Sequence, residues 1–473
     1  MAGVAVARWG GALVRTALLP DVDWVRPPVD GRVLLFALAA TTLTALLTGL
    51  APAAHVAALG VSAGLRTGAR EGGGRRSRMR TALLLAQASL SVVLLVGAGL
   101  FLRSLLRIGA LDYGYDPERV LVVQAAMAGD PPAEARHAAY DRMLERARTI
   151  PGVERVAMAT TSPFWSMAAG DLAIPGFDSL AALGDRFPLY NAVGPDYFAT
   201  MGTRIVRGRA IGAGDVLGAP RVAVVNEAMA RRIWKGADPI GRCIRIGSDS
   251  APCSEIVGIA RNSLQHELRE PPRMQYYFAT AQRQTTNESR TLMVRVAGGR
   301  RPAALAPTLR RELAAAAPGI RYVDVVPLAD RIAPQVRPWR LGATMFGAFG
   351  ALALLIASVG LYSVTAYSVA QRLHEMGLRM ALGARAGDVV GLVLRQGLAV
   401  AAAGVGLGVA AALVAGRWVA PLLFDVSARD PLVLGAWRRR CSARRSWRRW
   451  SRRGGRRAPT RATPSARSRR RRR

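Results

Sequence analysis

The sequence predicts an α-helical transmembrane protein of about four helices that carries one large extracytoplasmic mixed α/β domain. Three observations predict it. Apolar residues, 51% of the 473, gather into four charge-free blocks. Arginines crowd the two short segments that join blocks one to two and three to four. Between blocks two and three, residues 112–335 alternate strand-like and helix-like patterns.

The blocks are 33–51, 81–102, 341–370 and 396–416. Each is long enough to cross a hydrocarbon core, which takes roughly 20 apolar residues. A backbone in lipid must satisfy its own hydrogen bonds, so each block is read as a helix. Four buried helices of a soluble protein are set aside, because such helices keep a polar face. Met1 to Pro20 carries Arg8 and Arg15 and has no small-residue cleavage pattern, so it does not read as a signal peptide.

Orientation follows from the short-loop arginines. Residues 61–80 form a basic, Gly-rich linker holding Arg66, Arg70, Arg75, Arg76, Arg78 and Arg80 against Glu71. Residues 371–395 hold Arg372, Arg379, Arg385 and Arg395. Both fall in the cytoplasm if helices alternate, and 112–335 then lies outside. The tail 437–473 conflicts with this scheme. It holds 18 arginines and no acid, and without it the formal charge falls from +35 to +17.

Within the outer domain, Val120 to Ala126 reads as a strand and Pro132 to Thr149 as a helix. Tyr140, Met143, Leu144 and Ala147 share one face of that helix. Val153 to Ala159 and Val222 to Val225 read as strands, and Glu227 to Trp234 as a helix. Further strands are expected at Ile244 to Ile246, Ile256 to Ile259, Gln275 to Phe278, Leu292 to Val296 and Arg321 to Val326. Pro302 opens a helix at a first-turn position, with Leu305, Leu309 and Leu313 on one stripe. Two β-α-β units thus flank a β-rich middle. Cys243 and Cys253 bracket a turn-rich stretch. A disulfide in an oxidising exterior and two small buried residues both fit them.

Several chemistries are excluded. The single lysine, Lys235, precedes Gly236, so no Gly-x-x-x-x-Gly-Lys-Ser/Thr loop exists and the chain is not expected to be an ATP-hydrolysing enzyme. His55, His137, His266 and His374 lack ligand spacing, so no metal or cofactor is expected. Gly60-Val-Ser-Ala-Gly64 matches a nucleophile-elbow pattern without its strand and helix. The apolar blocks hold Gln87, Ser89, Ser91, Ser358, Tyr362 and Ser363 but no ionisable group of the kind ion-coupled carriers keep at mid-membrane.

Residues 372–385 contain Glu375, Met376, Gly377, Leu378 and Arg379, followed by Ala381, Leu382, Gly383 and Ala384. This pattern resembles the cytoplasmic signature of MacB/FtsX-type ABC transporter permeases, with Met380 where the family has a basic residue. The resemblance implies docking on an ATPase through Glu375, Met376, Gly377, Arg379, Ala381, Gly383 and Ala384. In the outer domain, Val193-Gly-Pro-Asp-Tyr-Phe-Ala-Thr-Met-Gly202, Arg207-Gly-Arg209, Val222-Ala-Val-Val-Asn-Glu227 and Asp238-Pro-Ile-Gly-Arg242 resemble the periplasmic domain of those permeases, as do Ile256-Val-Gly258 and Leu268-Arg-Glu-Pro271. The likeness runs from about Arg78 to Pro431 and is nearest to the duplicated acidobacterial orphan permeases. It implies that residues 1–60, with the helix at 33–51, are the remnant of a preceding permease unit. It also implies that a final helix after Pro431 has been replaced. A reading-frame change near Ala436 would explain the arginine-rich, disordered tail; a basic tail binding anionic lipid or nucleic acid is the alternative.

The expected function is the permease subunit of an ABC transporter in a bacterial inner membrane, working in export or envelope mechanotransmission. Its expected partners are a separate ATPase, a second permease copy or homologue, and the bilayer, with no nucleic acid. The alternative is a membrane-anchored sensor or adaptor, which would need a cytoplasmic output domain that these short loops do not supply.

Overall fold

The computed structural model describes residues 9–12, 31–58, 73–129, 131–177, 187–282, 290–371, 373–383 and 386–427. Most of the expected linker, part of the expected remnant at 1–60, Ala384 and the arginine-rich tail lie outside the described residues. The chain divides into two units. One is Ile108–Pro338, and the other comprises the flanking segments.

The helices of the flanking unit are α1 (Gly31–Ala58), α2 (Gly73–Gly109) and, after the domain, others introduced below. The domain begins with β1 (Val120–Met127), α3 (Ala133–Arg148) and β2 (Val153–Ala159). Then come β3 (Ala168–Ala169), β4 (Leu172–Ala173), β5 (Leu189–Val193), α4 (Tyr197–Met201) and β6 (Ile205–Gly208). The chain continues through β7 (Val222–Asn226), α5 (Glu227–Trp234), β8 (Cys243–Ile246), β9 (Cys253–Ala260) and β10 (Gln275–Ala279). It closes with β11 (Thr291–Val296), α6 (Pro302–Ala316) and β12 (Ile320–Pro327).

One sheet runs through the domain, in the order β12-β1-β11-β2-β5-β10-β7-β9-β8-β4. In its first four strands every neighbouring pair is antiparallel. The units β1-α3-β2 and β11-α6-β12 are therefore split and interleaved, each holding a strand of the other between its own two. Their helices share one apolar layer on the sheet. Leu121, Val123, Leu292, Val294, Val323 and Val325 meet Tyr140, Met143 and Ala147 of α3 and Leu305, Leu309 and Leu313 of α6. The stripes expected on both helices are the buried ones, although Leu144 is only partly covered.

The β-rich middle continues the same sheet. β5 and β10 are parallel, as are β7 and β9, while β10 and β7 run antiparallel. Helix α5 packs Met229, Ile233 and Trp234 against Ile244, Ile256, Tyr276 and Phe278. Asn226 fixes the start of α5. Its side chain accepts from the Met229 amide at 2.9 Å and from the Gln275 amide at 3.1 Å, and donates to the Arg273 carbonyl at 2.8 Å.

After β12 come α7 (Leu328–Gln371), whose residues from Trp339 on belong to the flanking unit, then α8 (Leu373–Ala381) and α9 (Ala386–Val419). Three described stretches are long and apolar enough to cross a membrane: Thr81–Gly109, Leu328–Ala370 and Val390–Leu422. The apolar helical stretch Gly31–Leu46 is shorter. The helices outrun their apolar blocks because Arg103, Arg107 and Arg395 are good helix formers that end nothing.

Small residues let these helices approach closely. A Cβ built on Gly408 would lie 2.6 Å from the Val92 Cβ and 2.7 Å from the Ser89 carbonyl, and one on Gly404 would lie 2.6 Å from the Ala88 Cβ. Gly406 has open space. Phe101 stacks on Phe346 with centroids 5.4 Å apart, and Ser104 Oγ accepts from the Phe424 amide at 3.2 Å. Gly408→Leu is expected to destabilise the bundle by about 1–3 kcal/mol, read as earlier unfolding on titration with dodecyl sulfate. Gly406→Leu should leave the midpoint unchanged; equal behaviour of the two variants would contradict this packing.

Candidate functional site

The segment between α7 and α9 is built from a short helix and a glycine stop. Helix α8 spans Leu373–Ala381, and the Leu382 amide donates back to the Leu378 carbonyl at 3.0 Å. The Gly383 amide donates to the Met380 carbonyl at 3.1 Å. Gly383 sits at φ +95°, a left-handed turn that a side chain resists.

Glu375 and Arg379 pair across one helical turn, with Nη2 to Oε1 at 2.5 Å and both side chains half exposed. Such a pair contributes about 0.3–0.5 kcal/mol to the helix itself, so its conformational value is small. Gly377 faces open space, Met376 is half-buried, and Ala381 and Gly383 are exposed. Ala384 lies outside the described residues. The docking residues expected from sequence thus lie on one short helix and its stop, apart from Ala384.

Sequence reasoning missed the apolar part of this surface. Leu373, Leu378, Met380 and Leu382 are all exposed, Leu382 at 81%. Leu378 and Leu382 follow Glu375 and Arg379 at helical spacing, so they share that facet. The signal was available in the sequence, as leucines and methionines interleaved with charges between two long apolar helices. An exposed facet of this kind marks a surface for a protein partner or a lipid headgroup layer.

Elsewhere, Cys243 and Cys253 lie diagonally across β8 and β9, with Cα atoms 5.5 Å apart and their sulfurs in contact. That Cα spacing lies in the range a disulfide spans. Among the described residues no group of three or more His, Cys, Asp and Glu side chains converges as a metal site would. The exposed Arg209 pairs with the buried Asp215, whose carboxylate accepts from both guanidinium nitrogens at 2.8 and 2.9 Å. The guanidinium bonds, aided by the Gly212 amide, lower the Asp215 pKa. This pair, with the Gly212 amide, staples the loop between Arg209 and Asp215.

Residues 81–312 match the MacB-like periplasmic core domain, and residues 347–437 match the FtsX-like permease C-terminal domain. The chain is 27% identical over 229 residues to the macrolide export ATP-binding/permease protein MacB 2 of Aeromonas hydrophila, covering 47% of this chain and 34% of that protein. It is 25% identical over 300 residues to the macrolide export ATP-binding/permease protein MacB of Neisseria gonorrhoeae, covering 62% and 44%. The chain therefore spans between a third and a half of the length of these relatives. Among solved structures, the periplasmic region of MacB from Actinobacillus actinomycetemcomitans aligns with a TM-score of 0.35 and 13% identity, over 49% of this chain and 97% of that one.

Proposed function

Since the chain is a permease of the MacB/FtsX type, carrying a domain of the periplasmic kind and apolar membrane helices, we propose that it is the membrane component of an ABC transporter whose ATPase is a separate chain. The observation that carries this reading is the exposed facet of α8, where Glu375 and Arg379 adjoin Leu378 and Leu382. A charged pair ringed by exposed leucines is what a protein docking surface offers. The ATPase is proposed as another chain because the one lysine of these residues, Lys235, has no glycine loop with which to cradle phosphates.

In this proposal a pair of ATPases closing on ATP pushes on α8, and the flanking helices α7 and α9 move with it. The chain enters the periplasmic domain through α2 and leaves it through α7, so a displacement of these helices is delivered to the domain. No charged residue lines the apolar blocks, which suits mechanical work outside the membrane better than passage of an ion through it. Two permease copies, or this chain with a homologue, would face the two ATPases in a bacterial inner membrane. The names of the relatives speak for export as the work done, with macrolides said only of them.

The test is reconstitution in bilayers with a candidate ABC ATPase. Addition of the chain should raise the ATP hydrolysis rate, and the two should co-purify. A rate independent of the chain with every ATPase encoded beside it would count against the proposal.

The same orientation places Cys243 and Cys253 in an oxidising space, and we propose that their disulfide persists there. Closing a loop of this length stabilises by about 3 kcal/mol in the chain-entropy account. Of the 3 cysteines, one should react with a thiol reagent in the denatured, unreduced chain and all should react after reduction. Full reactivity before reduction would remove the disulfide.

A further inference from the structure

We propose that the outer end of the helix bundle binds an anionic phospholipid, through arginines set in the headgroup layer of that leaflet. The site lies within the flanking unit. It comprises Arg107 of α2, Trp339 and Arg340 of α7, Arg417 and Trp418 of α9, and the turn Ala420–Leu422 that follows α9. It requires the chain to cross a bilayer but not to couple to an ATPase, so it stands or falls apart from the α8 surface.

Helix geometry sets these groups at one depth. Residues 81–102 separate Arg80 from Arg103, and residues 396–416 separate Arg395 from Arg417. At 1.5 Å per residue these stretches rise about 33 and about 32 Å, close to the roughly 30 Å of a hydrocarbon core. Gly404 approaches Ala88 and Gly408 approaches Val92, so α9 runs parallel to α2 and Arg417 comes level with Phe101. On α7, Gly342 packs against the Phe101 ring, which sets Arg340 in the same layer.

Their charge is not cancelled within the described chain. Arg107, Arg340 and Arg417 are exposed, and among the described residues none of the three is in an ion pair. Arg107 donates to the Asp425 backbone carbonyl, and the Arg417 guanidinium lies 4.3 Å over the Trp418 ring; both contacts leave the charge in place. Among the described residues of this end the acid is Asp425, so three guanidiniums stand against one carboxylate. Arginines at this end run against the bias that crowds them at the other. A lipid phosphate gives them a partner, since arginine takes phosphate oxygens through two parallel hydrogen bonds. A zwitterionic headgroup brings its own cation and gains less.

The surroundings suit a lipid rather than water alone. Trp418 and Leu422 are 65% and 61% exposed beside the arginines. A tryptophan that flanks a span is at home at the headgroup level. The segment after α9 is fixed to the other two helices. Trp339 Nε1 donates to the Leu422 carbonyl at 2.8 Å, and the Trp339 ring meets Phe424 edge-on with centroids 5.6 Å apart. The Phe424 amide donates to Ser104 Oγ at 3.2 Å, and Leu423 and Val426 are buried against Leu100 and Phe101. One segment thus ties together the three helix ends that carry the arginines.

The experiment is photolabelling of the full chain in phosphatidylcholine nanodiscs. These hold a small, equal fraction of phosphatidylglycerol or phosphatidylcholine bearing a diazirine near the glycerol. Adducts on residues 418–427 are counted by mass spectrometry, apart from any on the arginine-rich tail. Phosphatidylglycerol should label this segment roughly tenfold more than phosphatidylcholine, beyond the roughly fivefold that one arginine near a charged surface provides. Arg340→Gln and Arg417→Gln should each lower that ratio about fivefold, Arg417→Lys should keep most of it, and Glu375→Lys should not change it. Replacing chloride by inorganic phosphate at constant ionic strength should leave the ratio as it is, which sets a lipid apart from a free anion. If Arg417→Gln disturbs the fold, Arg340→Gln decides, because its exposed side chain holds no other part of the described chain. Equal labelling by the two lipids, a ratio untouched by Arg340→Gln, or its loss in inorganic phosphate would overturn the proposal.

Discussion

Glu375→Lys combined with Gly383→Trp is expected to abolish stimulation of a partner ATPase while leaving membrane insertion intact. The two changes act on different parts of one surface. Glu375 sits 2.5 Å from Arg379, so a lysine there replaces attraction by repulsion within the helix. Inside α8 that costs only a few tenths of a kcal/mol, as for any like-charge pair one turn apart. A large loss of function must therefore come from the docking surface. There, disrupting one partner of a desolvated charge pair costs about 2–5 kcal/mol, or a factor of roughly 30 to several thousand in affinity. Gly383 has φ +95° and open space where a Cβ would stand, with nothing within 4 Å, so an indole meets no atom of this chain but projects from its surface. The left-handed backbone adds about 1–2 kcal/mol of strain for any L-residue, which loosens the stop after α8. Gly377→Ala is the matched control: it also has open space, at an ordinary helical position, and should keep most stimulation. The readouts are the ATPase rate in reconstituted bilayers and the membrane fraction of each variant. Undiminished stimulation by the double variant would remove α8 as the coupling surface.

The α8 surface was legible because its residues are contiguous. Helical spacing places Glu375 beside Arg379, and Gly383 announces its own stop. A cleft of about 560 Å³ in the domain was not, because Arg136, Trp165, Arg290 and Tyr322, which line it, stand far apart in sequence and are brought together only by the sheet order. The same divide runs through the fold. Strand β2 and helix α5 occupy the residues expected of them, since apolar periodicity and an N-cap are local signals. The two β-α-β units were legible as units. That they interleave was not, for β1 lies between β11 and β12, more than half the domain away in the chain.

Strand β5 was missed because Asn191 interrupts its apolar run. The interruption has a structural cause. Asn191 is fully buried, its Oδ1 accepts from the Thr160 and Thr161 amides at 3.0 and 3.1 Å, and its Nδ2 donates to the Thr161 carbonyl at 3.2 Å. A polar residue in a strand reads as a break when its partners are unseen. Helix α4 was missed for a different reason: it has 5 residues and enters through Asp196 at φ +67°, without the usual extended cap. Its start can be read only once the backbone is known.

Asn226→Ala is expected to destabilise the domain by about 3 kcal/mol. The side chain makes three hydrogen bonds, and alanine leaves the Met229 amide, the Gln275 amide and the Arg273 carbonyl without them. Each net bond contributes about 1 kcal/mol, and orphaned buried groups cost more than the bond alone returns. Met229 is fully buried and Gln275 is 2% exposed, so water offers little replacement. For a domain of this size about 3 kcal/mol lowers the melting temperature by roughly 6–12 °C. Thermal unfolding of the full chain in detergent, followed by near-ultraviolet dichroism of the buried tyrosines, measures it. Asn226→Asp separates the contributions. It keeps the oxygen that caps α5, where a negative charge suits the helix N-terminus. It loses the donor and sets a carboxylate against the Arg273 carbonyl. An intermediate shift is therefore expected, whereas a loss below about 1 kcal/mol in the alanine variant, the value of a single net bond, would mean that the cap is dispensable. Val222 to Glu227 is among the segments by which the chain resembles its family, and on this account its asparagine is there to join β7, α5 and β10 rather than to touch a substrate.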